Sequence, residues 1–244
     1  MIDAHCHVDQ IDSPEEIVKE AEARSFTVIA VTNLPTHYAM PLAPLKGCRY
    51  VKPALGFHPL MVSAHQRELV PFLRLAKTAN FIGEIGLDFS GKGIPSKEVQ
   101  IASFQTILGA LGDRQRFITI HSRCAVDIVL DMLNQQRVGP VVFHWFTGST
   151  SQRARVITAG HYFSINPAMV RSSAGIRTIE GMPRDRVLTE TDAPLARVDG
   201  RPTFPWDIDI VLKHLTNVWK QERGELERTI EQNFQRLVGK AIGG

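Results

Sequence analysis

MIDAHCHVDQ, residues 1–10, is an apolar run that ends in two histidines one residue apart, His5 and His7. On a strand alternate side chains share a face, so both imidazoles point one way and Cys6 points the other. Seven further apolar, β-branched runs follow, at residues 26–32, 50–57, 81–87, 117–121, 141–146, 162–165 and 187–191. With residues 1–7 they make eight strands, each followed by a connection long enough for a crossover. That alternation predicts an α/β fold, a single TIM-type (β/α)8 barrel over residues 1–244. An open, doubly wound sheet uses the same alternation. The two differ in whether the first and last strands, 1–7 and 187–191, are neighbours.

Between the strands lie helical patterns. Ser13-Pro-Glu-Glu predicts a helix start, with a capping hydroxyl, proline at the first position and acidic residues in the first turn. Residues 95–111 carry apolar side chains at helical spacing and Gly112 is placed to end them. Residues 124–137, 149–159, 208–221 and 224–238 also read as helices. The proline-rich stretch 34–48 reads as a loop. After Asp192, Pro194, Pro202 and Pro205 delay the next helix.

The 244 residues are 43% hydrophobic and 22% charged, enough for a full core. No apolar stretch approaches the ~20 residues of a membrane span, and the first residues lack a secretory leader's basic-then-apolar layout. The expected location is the cytoplasm. Cys6, Cys48 and Cys124 have no paired spacing, which argues against a disulfide framework or a CxxC zinc site. A net charge of +3 permits a phosphate-rich partner without requiring one.

In a barrel the strand ends meet on one rim, where barrel active sites are built. His5 and His7 end the first strand, Glu84 lies on the fourth, His121 ends the fifth, His144 lies on the sixth and Asp192 closes the eighth. Two imidazoles and a carboxylate suit one cation. Glu84 can bridge to a second held by His121 and His144, and Asp192 can ligate and take a water's proton. Singly, each has an ordinary structural explanation: a hydrogen-bonded core histidine, or a carboxylate that starts a turn. Jointly, six metal-ligating residues at five strand ends are hard to explain without function, because buried ionisable groups are costly without partners.

The chain resembles the TatD family of metal-dependent deoxyribonucleases, within the wider amidohydrolase-like group of metal barrels. The resemblance rests on DAHCHVD (3–9), GFHP (56–59), GEIGLD (83–88), Gln100 with Phe104, IHSR (120–123), FHWFTGS (143–149), ETDAP (190–194) and NFQRL (233–237), in order over nearly the whole chain. It implies a TIM barrel that uses two divalent ions (magnesium, manganese or zinc) to cleave DNA phosphodiester bonds. It further implies action from the 3′ end, on single strands or 3′ ends. The implied ligands are His5, His7, Glu84, His121, His144 and Asp192, with Glu84 as the bridge where relatives use a carboxylated lysine, and Glu84 and Asp192 as catalytic groups. His58 is implied to contact the substrate phosphate, and the guanidinium of Arg123 suits a phosphate too. Departures from the family pattern are Trp145 in place of a cysteine, Cys124 in place of an acidic residue, FSGKG after GLD, and a loose match at RPTFP (201–205).

Other candidates surround these. Asp3, Glu190 and Asp9 are read as groups that orient ligand imidazoles. Gly91-Lys92-Gly93 reads as a turn without P-loop spacing. Phe89 and Trp145 are candidates to stack on an unpaired base. Two other functions remain open from sequence. One is hydrolysis of a small amide, ester or lactone by the same metals. The other is a partner-docking subunit, for example in an operon-encoded antiphage-defence complex.

Overall fold

Strands covered on both faces are apolar throughout, and residues 2–6 of the first run and 81–86 of the fourth are all buried. The computed structural model describes residues 1–39 and 47–239. Its strands are β1 (Ile2–Cys6), β2 (Thr27–Val31), β3 (Val51–Ala54), β4 (Phe81–Gly86), β5 (Phe117–His121), β6 (Val142–Phe143), β7 (Tyr162–Ile165) and β8 (Val187–Thr189). They pair in parallel in the orders β1-β2-β3 and β4-β5-β6-β7-β8.

Two seams join these sets into a closed barrel. At one, Leu55 bridges to Ile82, its N–H donating to Phe81 O (3.0 Å) while Gly83 N–H donates to Leu55 O (2.9 Å). At the other, Asp192 N–H donates to His5 O (2.9 Å) and His7 N–H to Ala193 O (2.8 Å). The first and last strands are therefore neighbours, and the open-sheet alternative is excluded.

The helices are α1 (Pro14–Arg24), α2 (Pro35–Ala39), α3 (Leu69–Leu75), α4 (Lys97–Leu111), α5 (Val126–Gln136), α6 (Thr150–Thr158), α7 (Pro167–Val170), α8 (Ser173–Glu180), α9 (Ile208–Trp219) and α10 (Arg223–Val238). A capping box of Ser149 and Gln152 starts α6. Ser13 precedes α1 as expected, but its side chain makes no capping bond. In the stretch read as a loop, residues 35–39 form α2, while 40–46 lie outside the described residues. The segment after Asp192 contains a hairpin of β9 (Arg197–Val198) and β10 (Arg201–Pro202) that the proline count concealed.

Two glycines set the strand ends that carry the site. A Cβ on Gly56 would lie 1.6 Å from Thr32 O, and one on Gly86, at φ +140°, 2.0 Å from His121 O. Both let backbones approach more closely than any side chain allows. Pairing register shifts between Asp3 and Cys6 and between Ile82 and Ile85, so His5 and Glu84 sit in irregular stretches. Such breaks re-aim side chains.

Candidate metal centre

β1 and β5 are not neighbours, so the 2.9 Å contact between His5 Nδ1 and Thr119 Oγ1 crosses the barrel interior. With that nitrogen engaged, His5 Nε2 faces Glu84 Oε2 at 3.6 Å and Asp192 Oδ1 at 3.7 Å. His7 stands just past β1, its Nδ1 3.3 Å from the Gln10 amide and its Nε2 3.5 Å from the same two oxygens. The other oxygen of Glu84, Oε1, lies 2.5 Å from His121 Nδ1 and 2.8 Å from His144 Nε2. One carboxylate thus divides its two oxygens between two histidine pairs. All six residues named from the strand ends come together.

The donor set fits a cation. His5 Nε2, His7 Nε2 and Asp192 Oδ1 are buried without a hydrogen-bond partner, a costly state for three polar atoms. Ligand atoms about 2.0–2.2 Å from a tetrahedral ion stand roughly 3.3–3.6 Å apart, close to the gaps around Glu84 Oε2. His5–His7–Glu84, His5–His144–Asp192 and His58–Glu84–His121 each bring ligand atoms within 4.8 Å of one another.

Electrostatics follow from burial and charge. Burial opposes the charged form of His7, but Asp192 and Glu84 outweigh it and push its pKa up to about 10. Burial likewise opposes charge on His144 and His121, yet Glu84 draws both upward, helped by Glu190 and Asp88 respectively. His5 goes the other way: burial and the neighbouring His144, stacked at 4.0 Å between centroids, lower its pKa. Burial alone would raise the Glu84 and Asp192 carboxyls. The histidines around Glu84, led by His58, and His7 beside Asp192 hold both below the usual range instead.

Two residues that hold ligand imidazoles, Asp88 and Thr119, were not legible as such. Asp88 Oδ2 accepts from His121 Nε2 at 2.9 Å, which turns Nδ1, the nitrogen against Glu84, towards the position a cation would take. Gln100 holds the Asp88 backbone N–H at 2.8 Å. Thr119 holds His5. Their signal was parity, Asp88 with Glu84 and Thr119 with His121. Glu190 fits the expectation more loosely: it faces His144 Nδ1 at 3.8 Å, too far for a hydrogen bond, and accepts from Trp145 N–H, Ser164 and Asn166.

Other expectations need correction. Asp3 orients no imidazole; it accepts from Thr191 N–H (2.9 Å), the Thr191 hydroxyl and the His5 backbone, stapling β1 to the residues after β8. Asp9 turns to His37, 3.2 Å away. Phe89 packs under the Lys97 ammonium at 5.0 Å. Gly91-Lys92-Gly93, by contrast, forms the expected turn, and Gly93 ties it to α4 by giving its carbonyl to Gln100.

The cluster floors a cavity of about 490 Å3, lined also by His58, Arg123, Cys124, Trp145 and Leu195. His58 Nδ1 accepts from Leu60 N–H (3.1 Å), so its proton sits on Nε2, 3.5 Å from Glu84. Burial lowers its pKa to about 4 against the pull of Glu84, so the ring is neutral. Arg123 is exposed on the wall and, among the described residues, makes no ion pair. A larger cavity of about 870 Å3 between α5 and α6 holds none of these clusters.

The profile of the family described as TatD related DNase matches residues 2–239. The Homo sapiens protein named deoxyribonuclease TATDN3 is 26% identical, over 98% of this chain and 95% of its own length. The Erwinia billingiae protein named 3′-5′ ssDNA/RNA exonuclease TatD is 30% identical, over 91% and 92%. The crystal structure of YjjV, a TatD homologue of Escherichia coli, superposes with a TM-score of 0.85 at 25% identity, over 97% of both chains.

Proposed function

The chain belongs to the TatD-related DNase family, and from that membership we propose that it removes nucleotides from the 3′ ends of single-stranded DNA, in the cytoplasm, with two divalent cations. The observation that carries this reading is the division of Glu84 between two histidine pairs, beside three buried and unpartnered donor atoms. His5, His7, Asp192 and Glu84 Oε2 would hold one cation; Glu84 Oε1, His121 and His144 would hold the other. Bound there, magnesium, manganese or zinc offsets the charge of a phosphodiester and acidifies water.

The chain's own groups complete the chemistry. Asp192 stays ionised beside His7 and takes the proton of the attacking water on its carboxylate. Neutral His58 donates from Nε2 to a phosphoryl oxygen, and Arg123 grips a phosphate with its fork of donors. Strand preference and polarity follow the Erwinia relative's name.

The test is a digest of end-labelled single- and double-stranded DNA after chelation and return of each metal, with cyclic amides and esters in parallel. Loss of 3′-terminal nucleotides only with metal is expected, abolished by Asp192→Ala without loss of the fold. Turnover of amides alone would overturn the assignment to DNA.

A further inference from the structure

Seven non-glycine residues among those described hold positive φ angles. Ser25, Arg137 and Lys220 are the left-handed caps of α1, α5 and α9, and Asp199 lies in the turn between β9 and β10. The other three, Cys124 (φ +55°), Trp145 (φ +37°) and Asp192 (φ +52°), all line the cavity above the metal cluster. A bulky residue in that region is uncommon and persists where its surroundings hold it. Glu190 holds Trp145, accepting its N–H at 2.9 Å, and the same carboxylate faces His144.

Leu195 lines the same cavity. It is 52% exposed between buried Ala193 and Ala196, in a turn closed by Ala196 N–H donating to Asp192 O at 2.9 Å. An indole and an exposed leucine thus share a cavity with a free guanidinium and an imidazole donor. That combination suits a planar apolar ring carrying a phosphate.

We propose that Trp145 and Leu195 form the wall on which the unpaired base of the 3′-terminal nucleotide stacks, so that the site selects ends bearing a base that is out of a duplex. The inference rests on the reading of the site as a nuclease. Stacking of this kind is tolerant of sequence, since every base has a π-face. In a duplex both faces of an internal base are already covered, so such a base cannot use the wall.

Two measurements test it. The first compares kcat/KM on an oligothymidylate with that on the same strand ending in an abasic residue. Wild type should favour the base-bearing end by about tenfold or more. Trp145→Ala should bring the ratio towards one, and Trp145→Phe should restore part of it. The second follows tryptophan emission with chelator present while (dT)3 or its abasic-ended counterpart is added. Quenching by (dT)3 should exceed that by the abasic form, and Trp145→Phe should lose the difference, because Trp206 and Trp219 sit elsewhere against Arg24 and Arg184. An unchanged ratio in Trp145→Ala, or equal quenching by both ligands, overturns the proposal. Failure to cut either strand with any metal overturns the nuclease reading instead, and the quenching then decides the stacking wall by itself.

Discussion

Around Glu84 Oε2 the nitrogens of His5 and His7 stand 3.5–3.6 Å away, while around Oε1 those of His121 and His144 close to 2.5 and 2.8 Å. The first half is held open from behind: Thr119 engages His5, Gln10 lies against His7, and the β1–β8 seam fixes their backbones. The second half has closed on itself by hydrogen bonding, with Asp88 anchoring one ring. A cation entering the first half meets donors without partners. One entering the second must displace hydrogen bonds. The two cations should therefore bind in order, the first half tighter, as two separable steps in calorimetry.

The largest expected effect comes from the residue both halves share. Glu84→Ala should lower kcat/KM by about 10³-fold or more, the several kcal/mol of charge stabilisation that bound metal supplies, and should erase both calorimetric steps. Retention of one step at wild-type affinity would break the comparison. Asp88→Asn reaches only the second half. It should weaken the looser step by about 10–100-fold, the range for a group behind a ligand histidine, and leave the tighter one alone. Equal weakening of both would show that the halves are not independent.

The smallest effect is one of pH. Without a cation, His7 keeps its proton up to about pH 10 because of Asp192 and Glu84. A cation needs the neutral ring, so binding expels that proton and affinity should rise with pH, by about tenfold per unit for one proton. Chelator competition at pH 6, 7 and 8 measures the slope; a flat profile contradicts the assignment of His7. The raised pKa also stabilises the cation-free fold. That contribution is complete below the ordinary value of 6.5 and is lost as pH climbs through about 10. The melting temperature gained on loading metal should accordingly widen as pH rises.

Much of the barrel was legible because each strand's burial depends on its own composition. Strand ends were less so. The run 141–146 looked like one strand, yet β6 stops at Phe143, and Trp145 has turned to positive φ to meet Glu190. That turn depends on a carboxylate 45 residues away, which no local pattern reports. Asp3 had the parity of a group supporting the site, but its partner Thr191 is brought by barrel closure, and the pair serves the seam. Asp88 and Thr119 likewise meet their imidazoles only in the assembled barrel. Parity says which way a side chain points and nothing about what meets it there.

The amino-acid order by itself determined the strand-helix alternation, the six ligand-type residues at strand ends and the helix start at Pro14, because period and local backbone preference act over a few residues. Only the closed barrel decided which oxygen of Glu84 serves which histidines, that Asp3 locks the seam, and that Trp145 and Leu195 line one cavity. Those outcomes depend on strand register and on contacts between residues up to 188 positions apart, whose geometry exists only once every strand is in place.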